Sequence, residues 1–306
     1  MSSYIVIDGG TTTTRVALIS NKKLIDKIKI SAGARANMQA PGTLEAAVRE
    51  AIDRLLSQNI AAPECILAAG MITGEFGLYN LPHIEAPAGI DDLGNSVVEV
   101  RLPDISPLPF YFIPGVKILG DIEKTDMMRG EECEVFGLYD GEDAVFVLPG
   151  SHSKIINLKD GKITDFKTLL TGEMTASLCE GTILRDAVDL SASLEESYLI
   201  GGYRYCREHG INEALFKVRI LKNLLSASRD EIYSFFLGVV LCGEIEAIIK
   251  THKKNIFVAG RAELRAATAI LLKSEGLNAT PVSDEAADMS TFLGMIKIFE
   301  SKKSRD

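Results

Sequence analysis

The 306 residues are 46% hydrophobic and 25% charged, enough to bury two ordinary cores and too apolar for disorder to dominate. A formal net charge of −9 argues against a nucleic-acid partner, because binding a phosphate backbone needs a basic face. Five scattered cysteines (Cys65, Cys133, Cys179, Cys206, Cys242) without a CxxC pair fit reduced, buried thiols better than a disulfide frame or a zinc site.

No window holds the ~18–20 unbroken apolar residues of a membrane span, and MSSYIVIDGG lacks the basic head and apolar stretch of a secretory leader. A cytoplasmic protein with no membrane partner is expected. Tyr4 to Asp8 reads as a short apolar strand ending on a carboxylate, Gly9 and Gly10 as a tight turn, and Arg15 to Ile19 as the return strand. Leu24 to Ile30 alternates as a third strand. Between Gly42 and Leu56 apolar residues recur at Leu44, Ala47, Val48, Ala51, Ile52 and Leu55, the spacing of a helix packed by one face. Cys65 to Ala69 is a buried-type strand closed by Gly70, so the order is β-β-β-α-β and not the strict alternation of a dinucleotide-binding fold. The proline-rich stretch Leu81 to Gly115 reads as loops and short edge strands walling a cleft.

Asp126 to Leu138 has a helical pattern with Asp126 near its N-terminus, and Ala144 to Leu148 is a strand running into Pro149-Gly150. Ile155 to Leu158 and Ile163 to Phe166 flank Lys159-Asp160-Gly161-Lys162, a hairpin signal. The second half thus restarts with strand, glycine turn, strand. Gly172 to His252 is mostly helical, and Asn255 to Ala259 is a strand closed by Gly260. A helix from Ala262 to Ser274, a strand from Ala279 to Val282 and a helix from Asp284 to about Glu300, with Ser283 at its N-cap, complete the chain. The terminal SKKSRD reads as a frayed helix end. No fixed-period repeat is present.

Asp8-Gly9-Gly10-Thr11-Thr12-Thr13-Thr14-Arg15 is the sharpest local feature. Small residues let backbone N–H groups converge on phosphate oxygens, hydroxyls add neutral donors, and a carboxylate at a strand end can hold magnesium or its waters. The same stretch also reads as a threonine-rich hairpin. Pro149-Gly150-Ser151-His152-Ser153-Lys154 repeats the pattern, and Gly260 marks a third turn. The GxxxxGK[ST], GxGxxG, HRD and DFG motifs are absent. Ser151 and His152, being adjacent, point apart and make no nucleophile–base pair. Phosphoryl transfer needs a base beside the accepting hydroxyl; Asp126 is the choice and Asp121 the rival, with an ordinary helix N-cap as the plainer reading of Asp126. Asp91-Asp92 reads as a solvated face, Glu131-Glu132 stays open, and His83, His209 and His252 read as isolated surface or satisfied residues.

Together, DGGTTTTRVALI (8–19), AAGMITGEFGLY (68–79), DMMRGEECEVFGL (126–138), PGSHSKIINLKDGKITDFKTLLTGEM (149–174) and FVAGRAEL (257–264) resemble the 2-dehydro-3-deoxygalactonokinase family, sugar kinases of the actin, hexokinase and Hsp70 superfamily. The resemblance runs in order along nearly the whole chain. It implies an α/β protein of two ribonuclease H-like domains with an interdomain cleft: 1–143, with the first phosphate loop and the sugar-acid site, and 144–306, with the second phosphate loop and the adenosine-binding turn. It implies Asp8 as the magnesium carboxylate, Gly9, Gly10, Thr11, Thr12 and Thr13 as the first loop, Gly150, Ser151, His152 and Ser153 as the second, and Gly260 at adenosine. Asp126 becomes the catalytic base, while Arg15, Arg35, Asn37, Met71, Glu75 and Lys154 face the sugar acid or phosphate.

The implied reaction moves the γ-phosphoryl group of ATP, with Mg²⁺, to the 6-hydroxyl of 2-dehydro-3-deoxygalactonate in galactonate catabolism. The partners are the sugar acid and ATP, with a homodimer left open. A kinase of a related acid (2-dehydro-3-deoxygluconate or pantothenate) and a non-catalytic sugar sensor are the alternatives. The chain departs from the family in having no tryptophan, where relatives carry one after the first aspartate and one near Leu78-Tyr79.

Overall fold

The computed structural model describes residues 2–59, 61–252 and 255–304; the last two residues of the terminal SKKSRD lie outside them. Two compact units divide the chain: unit 1 is Met1–Glu142, Lys159–Asp165 and Glu285–Asp306, and unit 2 is Asp143–Leu158 and Phe166–Asp284. The observed division at 142/143 adjoins the boundary expected at 143/144. Residues 159–165 and 285–306, expected in the second domain, group with the first.

In unit 1, β1 (Ser3–Gly9) and β2 (Thr14–Ser20) form an antiparallel hairpin in which Asp8 faces Arg15, and β3 (Lys23–Ile30) continues the meander. After α1 (Ala34–Gln39), α2 (Thr43–Gln58) buries Leu44, Val48, Ala51, Ile52 and Leu55, the stripe its spacing predicts. These meet Ile5, Ile7, Val16, Leu18 and Ile66 in one core. β4 (Cys65–Gly70) lies parallel to β1, with Gly70 beside Gly9, and runs into a single 3₁₀ turn, Met71–Thr73.

The proline-rich stretch holds β5 (Ile84–Glu85), β6 (Ala88–Gly89), α3 (Ile90–Asn95), β7 (Val98–Val100) and β8 (Phe110–Phe112). The sheet order is β3-β2-β1-β4-β8-β7, so β8 is an inner strand with Phe110 and Phe112 fully buried, not the edge strand expected. Three residues between prolines are too few to show a period; what buries them is the pairing with β4. β9 (Val116–Ile118) and β10 (Asp126–Met128) join β5 in a small second sheet. The helix expected from Asp126 starts only at Glu131, as α4 (Glu131–Leu138). Met127 and Met128 alternate exposed and buried on β10, and Gly130, at φ 111°, turns the chain before α4 begins.

Unit 2 opens with β11 (Ala144–Leu148), β12 (Ser153–Lys159) and β13 (Lys162–Leu169). Asp160 and Gly161 take positive φ (51° and 72°) at the expected hairpin turn; Lys162 and Ile163, which group with unit 1, pair with Gly89 and Ala88 of β6 within that unit. Four helices follow, α5 (Thr171–Gly181), α6 (Glu196–His209), α7 (Ile211–Asn223) and α8 (Arg229–Ile249). Then come β14 (Ile256–Val258), α9 (Ala262–Ser274), β15 (Ala279–Pro281) and α10 (Asp284–Lys303). β14 is parallel to β11 and β15 to β14. The order β13-β12-β11-β14-β15 therefore repeats β3-β2-β1-β4-β8: three antiparallel strands, then two parallel ones.

Among the described residues α8 alone is long and apolar enough to cross a membrane, with a mean hydropathy of 1.9 over 18 residues, but 78% of that window is buried. It is the central helix of the unit 2 core, packed by Leu199, Tyr203, Val218 and Ile256. All five cysteines are free and buried, as their spacing predicts.

Candidate active site

In unit 1 the carboxyl ends of the parallel strands β1 and β4 carry Asp8, Gly9 and Gly70, the place where open α/β sheets bind ligands. No side chain fits between them: a Cβ on Gly9 would lie 2.6 Å from Ile72 Cβ, and one on Gly70 2.4 Å from the Gly9 carbonyl oxygen. The Gly10 N–H donates to Thr13 O at 2.9 Å and closes the turn. Thr14 is buried and its hydroxyl donates to Ala32 O at 2.7 Å, so one of the four threonines is structural. Thr12 is exposed, and Thr11 and Thr13 are half-buried. The amides of Ala34 and Arg35 donate to Gly10 O and Thr11 O, which docks α1 on this loop.

The remaining residues expected in unit 1 divide. Arg15 pairs with Asp8, with Nε and Nη2 at 2.8 and 2.6 Å from Oδ2. Asn37 is buried and braces α1: its Nδ2 donates to Phe76 O (3.1 Å), and its Oδ1 accepts from Gly42 N–H (3.0 Å) and Leu44 N–H (3.3 Å). Met71 is half-buried in the turn after β4, and Arg35 and Glu75 are exposed. Asp126 is half-buried at the start of β10, accepting from Met127 N–H at 2.7 Å. The rival Asp121 is exposed, and its carbonyl closes a turn with the amides of Lys124 and Thr125.

Unit 2 repeats the construction. Gly150 N–H donates to Ser153 Oγ at 3.3 Å, and Glu173 N–H, in the first turn of α5, donates to Ser151 O at 3.1 Å. Gly172 permits this contact, since a Cβ there would lie 2.3 Å from Gly150 O. Gly260, at φ 70° after β14, would place a Cβ 2.3 Å from Pro149 O, and Arg261 N–H donates to that carbonyl at 3.1 Å. Gly150–Ser153 and Gly260 thus form adjoining turns at the ends of parallel β11 and β14. His152 Nε2 lies 3.5 Å from Glu173 Oε1. Lys154, expected at phosphate or substrate, is buried, and its Nζ donates to Thr168 Oγ1 at 2.7 Å.

Residues 8–297 match the model of the 2-keto-3-deoxy-galactonokinase family. The chain belongs to this family. It is 24% identical over 288 residues to the 2-dehydro-3-deoxygalactonokinase of Escherichia coli (strain K12), covering 93% of this chain and 94% of that relative. The crystal structure of a Sinorhizobium meliloti protein, provisionally assigned the same activity, is similar with a TM-score of 0.81 at 22% identity, covering 96% of this chain and 97% of that one. The activator of 2-hydroxyisocaproyl-CoA dehydratase from Clostridium difficile, solved with bound ADPNP, gives a TM-score of 0.53 at 10% identity over 99% and 97% of the chains. These likenesses show the fold, two ribonuclease H-like α/β domains of the actin/hexokinase type, as the motifs imply.

Two polar residues at these turns, Arg129 and Glu244, carry no role in the sequence analysis, and a third, Glu132, was left open there with Glu131. Arg129 reaches back from the β10–α4 turn, Nη1 donating to Thr73 O and Oγ1 (both 2.7 Å) and Nη2 to Leu81 O (2.9 Å). Its Nη2 also lies 3.1 Å from His83 Nδ1; burial, with Arg129 and Lys117 nearby, pushes His83 down to about 4, so the neutral ring accepts. Glu132 is sealed below Gly130, whose N–H donates to both carboxyl oxygens at 2.8 Å. In unit 2, Glu244 of α8 is buried, with Oε2 accepting from Thr171 Oγ1 at 2.9 Å and Oε1 lacking a hydrogen-bond partner; burial raises its pKa. Adjacent glutamates in RGEE are the one hint that sequence offered, and nothing local shows which of them is buried.

Among the described residues no group of three His, Cys, Asp or Glu side chains could hold a metal ion. One carboxylate at a strand end, Asp8, suits an ion that arrives on phosphates with most of its waters, as magnesium does.

Proposed function

We propose that this protein is an ATP-dependent kinase that phosphorylates the 6-hydroxyl of 2-dehydro-3-deoxygalactonate in galactonate catabolism, a cytoplasmic enzyme using Mg²⁺. Membership of the family over residues 8–297 carries the reading. The glycine hairpin repeated at the end of β1 and of β11 supports it, since two loops of backbone N–H groups suit a polyphosphate. Gly9, Gly10 and Thr11–Thr13 hold phosphate in unit 1, Gly150–Ser153 do so in unit 2, and the turn at Gly260 is assigned to adenosine. Asp8 would hold the magnesium ion through its waters, and the ion would supply charge neutralisation on the phosphates. Asp126 accepts the proton of the sugar-acid alcohol.

A coupled ADP-release assay with 2-dehydro-3-deoxygalactonate, 2-dehydro-3-deoxygluconate and pantothenate tests this. The first acid is expected to give the highest kcat/KM. Preference for another acid transfers the reading to that substrate, and tight sugar-acid binding without ADP release in any mixture leaves a sensor instead of a kinase.

A further inference from the structure

Asp8 and Arg15 are direct cross-strand partners, and both short contacts from Arg15 fall on one oxygen, Nε and Nη2 at 2.8 and 2.6 Å from Oδ2. The other oxygen, Oδ1, points to the space where Gly70 has no side chain, 3.3 Å from the Cβ that residue lacks. Arg15 is itself held from behind by α10. Its Nη1 lies 3.5 Å from Asp288 Oδ1, its Nη2 3.4 Å from Thr291 Oγ1, and its guanidinium carbon 5.2 Å from the centre of the Phe292 ring. Lys27 of β3 pairs with the other oxygen of Asp288. Burial works against the charge on Arg15, but Asp8, Glu134 and Asp288 more than restore it, so the clamp is a permanent cation.

A carboxylate with one oxygen fixed by two donors presents its second oxygen in a single direction, which is how outer-shell partners orient a metal-facing ligand. We propose that Arg15 is a positioning residue: seated on Asp288, Thr291 and Phe292 of α10, it pins Asp8 so that Oδ1 meets the hydrated Mg²⁺ of a bound nucleotide. This rests on the kinase reading and assigns the C-terminal helix a part in the metal site. It gives Arg15 a role through Asp8 in place of the substrate carboxylate.

The test compares the full-length wild type with Arg15→Met, Arg15→Lys and Asp288→Asn. The readouts are Mn²⁺ affinity in the ADP complex by electron paramagnetic resonance, ADP affinity in EDTA by calorimetry, Tm, and the KM for the sugar acid. Arg15→Met should weaken the metal by about 10–100-fold with metal-free ADP binding unchanged, and Arg15→Lys should recover part of the loss. Asp288→Asn, in a half-exposed pair outside the site, should shift the metal in the same direction by about 2–5-fold. If Arg15→Met does not fold, Arg15→Lys and Asp288→Asn carry the comparison.

Folded variants that hold Mn²⁺·ADP as the wild type does overturn the proposal. So does a raised sugar-acid KM with metal affinity intact, which would make Arg15 a substrate ligand. A wild type that binds no Mg²⁺·ADP at all sinks the kinase reading and the inference with it, whereas a wild type that phosphorylates its acid beside unaffected variants sinks only the positioning role.

Discussion

The Glu132 carboxyl is pushed up to about 8, first by burial and then by Glu131 beside it, against the pull of the Gly130 and Glu132 amides and of Arg129. In the unfolded chain it titrates near 4.5. Between those values the folded protein keeps a proton that the unfolded chain has released, so raising the pH from about 4.5 to 8 drains stability. Glu132→Gln keeps an acceptor for the Gly130 N–H and cannot ionise; its Tm, relative to wild type, should climb as the pH goes from 5 to 8. A difference that stays flat with pH would refute the buried acid. His83 acts in the opposite sense: pushed down to about 4 from an ordinary 6.5, it contributes stability above pH 6.5 that is lost as the pH falls towards 4. For the chemistry, Asp126→Asn should lower kcat by about 10²–10⁴-fold with nucleotide affinity nearly intact, and a near-normal kcat would move the base to Asp121. The β1–β2 turn that carries Asp8 and Thr11–Thr13 was legible because a hairpin is local. The bracing role of Asn37 was not legible, because its amide bonds to Phe76, Gly42 and Leu44 form only once the chain has folded back.

At the scale of elements, α4 and α10 cross with their backbones nearly touching. A Cβ on Gly137 would lie 1.8 Å from Ser290 O, and one on Gly294 1.8 Å from Cys133 O. α4 follows directly on Gly130, which itself abuts Gly70, so the crossing fixes how far the helix carrying Glu132 stands from the strand ends. Gly294→Ala should therefore cost about 1–3 kcal/mol by overpacking, read as a lower urea midpoint. Gly243→Ala on the open side of α8, where nothing lies within 4 Å, should gain up to about 1 kcal/mol from helix propensity alone. An equal response of the two variants would contradict the crossing. The spacing of apolar residues revealed α2, and apolar runs closed by glycine revealed β1, β4 and β11, but β8 and the strand-then-helix break at Gly130 did not show, since pairing partners and one left-handed glycine decide them.

For the whole molecule, unit 1 is assembled from three separate stretches of chain. Phe299 of α10 packs edge-on to Tyr4 at 5.8 Å and lies 4.6 Å from Tyr111, so the fragment Met1–Glu142 lacks a layer of its own core. That fragment should show no cooperative thermal transition by near-ultraviolet circular dichroism; a sharp one would mean α10 is dispensable to the fold. Sequence by itself determined the parts whose contacts are short in chain distance: the two glycine hairpins, the stripe of α2, the buried cysteines and the motifs that mark the family. Tertiary structure alone decided that Arg15 answers to Thr291, 276 positions away, that Glu244 sits under the second hairpin, and that α10 belongs with unit 1. An apolar stripe announces that a helix has a buried face, but it carries no address for the sheet that receives it, and a charged side chain acquires its partner only when burial leaves it no water to choose instead.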